Sequence, residues 1–117
     1  MPVVRLLLLG LVAALTIAVS ASAQTTKLVG IVGPGFNITL TKGGKKLTTL
    51  KAGSYTVAVA DRSNIHNFRL KGPGGVNKDS GVAAKGNKSW TVKLKPGRYI
   101  FVCDPHASSM KGSFQVS

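Results

Sequence analysis

The chain has 117 residues, with 16 Lys or Arg against 3 Asp or Glu, a formal net charge of +13 and a single cysteine. That length points to one domain, and 44% hydrophobic content with 14 glycines marks a packed globule rather than a disordered tail or a multidomain enzyme. One cysteine excludes an internal disulfide, a four-cysteine zinc site and a thiolate-held iron–sulfur cluster, so the fold must be held by its core or by another set of ligands.

Residues 1–23 read as a secretory signal. Arg5 supplies the positive start, Leu6 to Val19 is an almost unbroken apolar stretch, and Ala21-Ser22-Ala23 offers small residues for cleavage before Gln24. The apolar stretch is shorter than the ~20 residues that span a bilayer, so cleavage is expected and no stable membrane insertion after it. No cysteine follows for lipid attachment, and no twin-arginine pair precedes the apolar run. Export of an unfolded chain to the periplasm or the cell exterior follows, with any cofactor acquired there. The remaining domain, residues 24–117, loses only Arg5 from the charge count and keeps its basic excess. For an exported protein that charge points to acidic protein partners met transiently rather than to nucleic acid. Lys42, Lys45, Lys46 and Lys51 bracket one expected turn, and Lys93, Lys95 and Arg98 another, which places most of the charge on solvated faces and hairpin ends.

The domain is patterned for short strands throughout. Phe36, Ile38 and Leu40 alternate with Asn37, Thr39 and Thr41; Tyr55, Val57 and Val59 alternate with Thr56, Ala58 and Ala60; Trp90, Val92 and Leu94 alternate with Thr91 and Lys93. Each reads as a strand with one buried face. Gly33-Pro34-Gly35, Gly43-Gly44, Ala52-Gly53, Gly72-Pro73-Gly74-Gly75 and Pro96-Gly97 are turn signals, the last suited to a type II turn. Lys71 to Lys88 is polar, glycine-rich and patternless, and is expected to be a long surface excursion. The fold class implied is all-β, an antiparallel Greek-key sandwich or barrel. Asn37-Ile38-Thr39 and Asn87-Lys88-Ser89 are formal glycosylation sequons, relevant only in a eukaryotic secretory route.

The chemistry lies near the end. Cys103, His106 and Met110 bring a thiol, an imidazole and a thioether within eight residues. Cys103 shares strand parity with Tyr99 and Phe101, so it continues a buried face and emerges where a loop begins. His66, the only other histidine, shares parity with Phe68 and Leu70 and should point inward from a strand. Taken singly, each residue reads as core filler or a hydrogen-bonded side chain; together they are two imidazoles, one thiolate and a weak thioether. That is the donor set of a type 1 copper centre, which shuttles between Cu(I) and Cu(II). Zinc could use the same four ligands, but the thioether and the Irving–Williams order favour copper. A two-copper centre needs a second cysteine, and multicopper enzymes need more histidines. Thiol-protease chemistry lacks a third orienting group and an oxyanion device.

With His66-Asn67-Phe68 upstream and Gly97-Arg98-Tyr99-Ile100-Phe101-Val102-Cys103-Asp104-Pro105-His106 through Met110-Lys111-Gly112 downstream, the sequence resembles the cupredoxins, the small plastocyanin, amicyanin and pseudoazurin-like copper proteins. The resemblance implies one copper ion held by His66, Cys103 and His106 with Met110 axial, and single-electron transfer between redox partners rather than an enzyme activity, in a monomer. The alternative is a copper carrier or buffer using the same ligands. The resemblance also implies that Asn67 hydrogen-bonds across to the cysteine loop, that Pro105 restricts that loop and removes a backbone donor near the sulfur, and that Pro34, Gly35, Pro105 and Ala107 form an apolar patch around an electron port at the second histidine. Two departures stand out. Three residues separate His106 from Met110, where plastocyanins have four and amicyanins two. Asp104 stands where serine or threonine is usual; unneutralised, its carboxylate would lower the potential, and it could instead cap the next turn.

Overall fold

The computed structural model describes residues 3, 10–18 and 25–117. Most of the expected leader, including its cleavage site, lies outside the described residues. Among those described, no helix is long and apolar enough to cross a membrane.

Among the described residues ten strands follow in chain order: β1 (Thr26–Val32), β2 (Ile38–Lys42), β3 (Lys45–Lys46), β4 (Thr49–Leu50), β5 (Gly53–Asp61), β6 (Arg69–Gly72), β7 (Val76–Asp79), β8 (Gly86–Leu94), β9 (Gly97–Val102) and β10 (Lys111–Val116). One sheet runs β3-β2-β1-β5-β8 and the other β4-β10-β9-β6-β7, and their inner faces pack into a sandwich. Most pairs are antiparallel, but β1 with β5 and β4 with β10 run parallel. The purely antiparallel expectation is corrected there. The residues linking β1 to β5 leave the first sheet through β4 and return, a crossover long enough to bring the chain back in the same direction.

Period-two burial carries the core. Tyr55, Val57 and Val59 on β5 and Val92 and Leu94 on β8 are buried, together with Leu28, Leu40, Phe68, Leu70, Tyr99, Phe101 and Phe114. Each fully buried aliphatic side chain contributes about 1.5–3 kcal/mol. Phe68 and Phe101 stack across the core with ring centroids 5.8 Å apart, and Tyr99 stacks on Phe114 at 5.5 Å. Trp90 is half-buried and packs against the core from its edge. Gly112 lets Phe101 cross over β10: a Cβ there would lie 2.2 Å from the ring.

Three further expectations are corrected. Phe36 is not on a buried strand face; β2 begins at Ile38, and Phe36 is 68% exposed. Lys71 to Lys88 is not a patternless excursion, because β6, β7 and the start of β8 run through it. These segments are paired by backbone hydrogen bonds, with Gly86 opposite Asp61 and Lys88 opposite Val59, while their side chains face water and so carry no apolar period. Pro96-Gly97 does not close a hairpin; it passes the chain from β8 in one sheet to β9 in the other. The Gly43-Gly44 turn does close the β2–β3 hairpin, with both glycines at positive φ. The lysines around both turns are exposed.

Candidate metal centre

The site is built at one end of the sandwich from two separate segments. His66 lies in the connection between β5 and β6, not within a strand, yet its side chain is fully buried. A hydrogen-bond network fixes this connection on both sides. The Ser63 N–H donates to Asp61 Oδ1 at 3.2 Å, and Ser80 Oγ donates to Asp61 Oδ2 at 2.8 Å. The Phe68 N–H in turn donates to Ser80 Oγ at 2.8 Å, and the Ser80 N–H returns to the Phe68 carbonyl at 3.0 Å. Asp61 and Ser80 are themselves buried, so the network is shielded from water and holds His66 in one place.

The second segment starts where β9 ends. Cys103 is fully buried, a 3-10 turn spans Asp104–His106, and β10 resumes at Lys111. The Cys103 N–H donates to the Met110 carbonyl at 3.0 Å, and the Met110 N–H donates to the His106 carbonyl at 2.8 Å. The spacing of three intervening residues thus closes one helical-type turn and returns Met110, buried, beneath the loop. Pro105 occupies an early position of the 3-10 turn, where its missing N–H leaves no intrahelical bond unmade.

The two segments meet at three atoms. His66 Nδ1 lies 3.0 Å from His106 Nδ1, and Cys103 Sγ lies 3.6 Å from each. A point equidistant from all three sits about 2.0 Å from each, within the about 2.0–2.3 Å of first-row metal bonds to imidazole and thiolate. His66 Nε2 is the one buried side-chain polar atom without a hydrogen-bond partner among the described residues. The ring turns its Nδ1, not its Nε2, to the cluster. Three lone-pair donors aimed at one point repel one another unless a cation or proton stands between them, and a thiolate with two imidazoles suits copper.

Asn67, also fully buried, ties the segments together. Its Oδ1 accepts the Asp104 N–H at 2.7 Å, and its Nδ2 donates to Asp79 Oδ1 at 2.8 Å and Asp104 Oδ2 at 2.9 Å. The Asp104 carboxylate accepts from Asn67 and Arg69 rather than from the turn that it opens. Arg69 Nη2 lies 2.8 Å from Oδ2. The hydrogen bond from Arg69 holds the Asp104 carboxyl below its ordinary range against the opposing effect of burial, helped by Asn67 and by the charges of Arg69 and Lys71. The same hydrogen bond raises the Arg69 pKa, opposed by burial and supported by the charges of Asp104 and Asp79.

His106 is half-buried, with exposed Pro105 and Ala107 on either side of it in the chain. Pro34 and Gly35 are exposed as well. Phe36 and Ile65 join this end of the molecule in exposing a large apolar side chain. Phe36 sets its ring edge-on to both imidazoles, with centroids 5.0 Å from His66 and 5.0 Å from His106. Gly33 makes room for this loop: at φ +73°, a Cβ there would fall 2.9 Å from Ser63 Cβ and 3.4 Å from the His66 ring. The sequence reading places Phe36 on a strand rather than at the site and gives Arg69, Asp61 and Ser80 no role there. The scarcity of acids in so basic a chain was the available signal, since all three carboxylates are engaged at this end.

The sequence matches the model of the copper-binding proteins of the plastocyanin/azurin family over residues 12–117. The chain belongs to that family. It is a cupredoxin, and one copper ion is its cofactor. Rusticyanin from Thiobacillus ferrooxidans is similar in structure, at 25% identity and a TM-score of 0.51, covering 82% of this chain and 79% of that one. A methionine-to-glutamine mutant of rusticyanin matches with a TM-score of 0.54 at 24% identity, over 82% of this chain and 80% of its own. No curated protein sequence matches the chain.

Proposed function

We propose that this cupredoxin is an exported blue copper protein that carries single electrons between redox partners, with residues 24–117 as the mature domain. His66, Cys103 and His106 would hold the copper, with buried Met110 as the fourth, weaker donor. The observation that carries this reading is the convergence of His66 Nδ1, His106 Nδ1 and Cys103 Sγ, from two segments 37 residues or more apart, on a single point. Copper held by such ligands supplies reversible one-electron exchange without making or breaking a substrate bond, so the protein acts as a carrier rather than an enzyme.

The chain's own residues define what surrounds that exchange. The buried Asp61–Ser80 network and the Asn67 bridge fix the donors, which keeps them from rearranging between oxidation states. His106 is the ligand nearest solvent, and the exposed Phe36, Ile65, Pro34, Pro105 and Ala107 give its edge an apolar surface on which a partner can close. Asp61 is buried, and Asp79 and Asp104 are paired with Arg69, so the lysines on the rest of the surface face solvent with little acidic compensation. Such a monomer is attracted to acidic protein partners and released readily at physiological salt.

Protein-film voltammetry of the copper-loaded domain tests the reading. A reversible one-electron wave with copper retained through repeated cycles is the expected result. Copper loss on each reduction, or its transfer to a competing chelator of modest affinity, would replace the electron carrier by a copper carrier.

A further inference from the structure

Two of the three carboxylates in the chain stand on one guanidinium beside the centre. Arg69, the first residue of β6, directs Nε to both Asp104 oxygens at 3.0 and 2.9 Å and Nη2 to Asp104 Oδ2 at 2.8 Å. The same Nη2 reaches Asp79 Oδ2 at 3.4 Å, and Nη1 donates to Asn77 Oδ1 at 2.8 Å. Asp104 directly follows Cys103, and the oxygen that meets Arg69 also accepts from Asn67, the neighbour of His66. The ion pair therefore joins the two segments that supply the metal donors. The planar fork of the arginine meets Asp104, Asp79 and Asn77 from three separate nitrogens, whereas a lysine ammonium would bring its donors to a single point.

The position gives the pair an electrostatic role. A carboxylate one residue from the thiolate ligand favours the more positive, oxidised metal, and an adjacent guanidinium opposes it. The side chains of Arg69 and Asp104 are only 25% and 38% exposed, so water screens them incompletely. Among the described residues Arg69 is the one cation in direct contact with Asp104: Asn67 donates to the carboxylate as a neutral partner, and Lys71 acts on it only through space.

We infer that Arg69 is a positioning residue that sets the reduction potential of the centre, by neutralising Asp104 beside Cys103 and holding it on Asn67. The inference rests on the copper reading above. It makes a claim about sign that a merely structural role does not: removing the cation and removing the anion must shift the potential in opposite directions.

The test uses the copper-loaded protein at fixed pH and low ionic strength, with Arg69→Gln, Asp104→Asn, the double substitution and Arg69→Lys. The readouts are the thiolate-to-copper absorption and the equilibrium of electron exchange with a small-molecule redox couple. Arg69→Gln is expected to keep the blue band and weaken electron acceptance several-fold, the size of one charge in a partly screened site. Asp104→Asn is expected to strengthen it by a similar factor, and the double substitution to lie between the two. Arg69→Lys should fall between the unsubstituted protein and Arg69→Gln, and added salt should shrink every shift. Shifts of the same sign in Arg69→Gln and Asp104→Asn would overturn the inference while leaving the copper reading in place. If Arg69→Gln fails to fold, Asp104→Asn decides, since unchanged or weakened electron acceptance contradicts the role. An unsubstituted protein that takes up copper without colour would overturn the copper reading and this inference together.

Discussion

His66 and Cys103 end 3.6 Å apart, yet they reach that position by different means. His66 is presented by a connection whose geometry depends on buried side chains from elsewhere, Asp61 at the end of β5 and Ser80 just past β7. Cys103, His106 and Met110 sit on a short local loop whose backbone bonds close on themselves, with Asp104, Pro105 and residues 107–109 exposed. One half of the centre is held by non-local hydrogen bonds in a dry environment; the other rests mainly on local turn geometry between two strands of one hairpin, with Asp104 its tie to Asn67 and Arg69. The half held from a distance should be the more fragile to substitutions that touch no ligand.

The largest expected effect follows directly. Asp61→Ala strips the acceptor from the Ser63 N–H and the Ser80 hydroxyl in a buried site, and should destabilise the protein by about 2–4 kcal/mol in denaturant unfolding. Ser108→Ala on the exposed loop should change stability by no more than about 0.5 kcal/mol. Equal losses at the two positions would erase the distinction between the halves. Gly33→Ala comes next, because it combines a left-handed backbone position with a close approach to Ser63; about 1–3 kcal/mol is expected by the same measurement.

Met110→Leu conserves volume in a buried position and should cost less than about 1.5 kcal/mol while leaving the blue colour. It should raise the reduction potential, because an apolar axial neighbour disfavours Cu(II); an unchanged potential would remove Met110 from the ligand set. The acid response of the loop is smaller. The Asp104 carboxyl is held below its ordinary range, so its contribution to stability is present above the unfolded-state value of 3.8 and fades as pH falls through the lower folded-state value. The stability gap between the protein and Asp104→Asn should therefore narrow in that acid window, as followed by thermal unfolding across pH. Phe36→Ala should cost little stability, about 1 kcal/mol or less, since the ring is exposed. Its edge contacts with both imidazoles should still appear as shifted histidine ring resonances in the copper-free or Cu(I) protein.

The same contrast explains what was legible in the sequence. The all-β architecture followed from period-two patterns because strands β5, β8 and β9 each bury one face. Cys103, His106 and Met110 could be read as a group because a local loop keeps its members close in sequence. His66 was found because only two histidines exist, but its placement between strands rather than on one was not visible. That placement depends on Asp61 and Ser80, whose partners lie up to 19 residues away. β7 and the start of β8 were missed because backbone pairing, not apolar periodicity, makes them strands. Phe36 was misplaced because alternation with Ile38 and Leu40 continued on paper past the point where β2 begins. The Asp104–Arg69 pair needed the structure to join residues 35 apart: the carboxylate is compensated by Arg69 and accepts from Arg69 and Asn67 rather than from the turn.

The central claim is that two separately held halves complete one copper centre through Cys103. Titration of the copper-free protein with Cu(II), followed by visible absorption, tests it most directly. The account predicts an intense blue thiolate-to-copper band that saturates at one equivalent and is absent from Cys103→Ser. A colourless complex, or a band that survives the loss of Cys103, would contradict it.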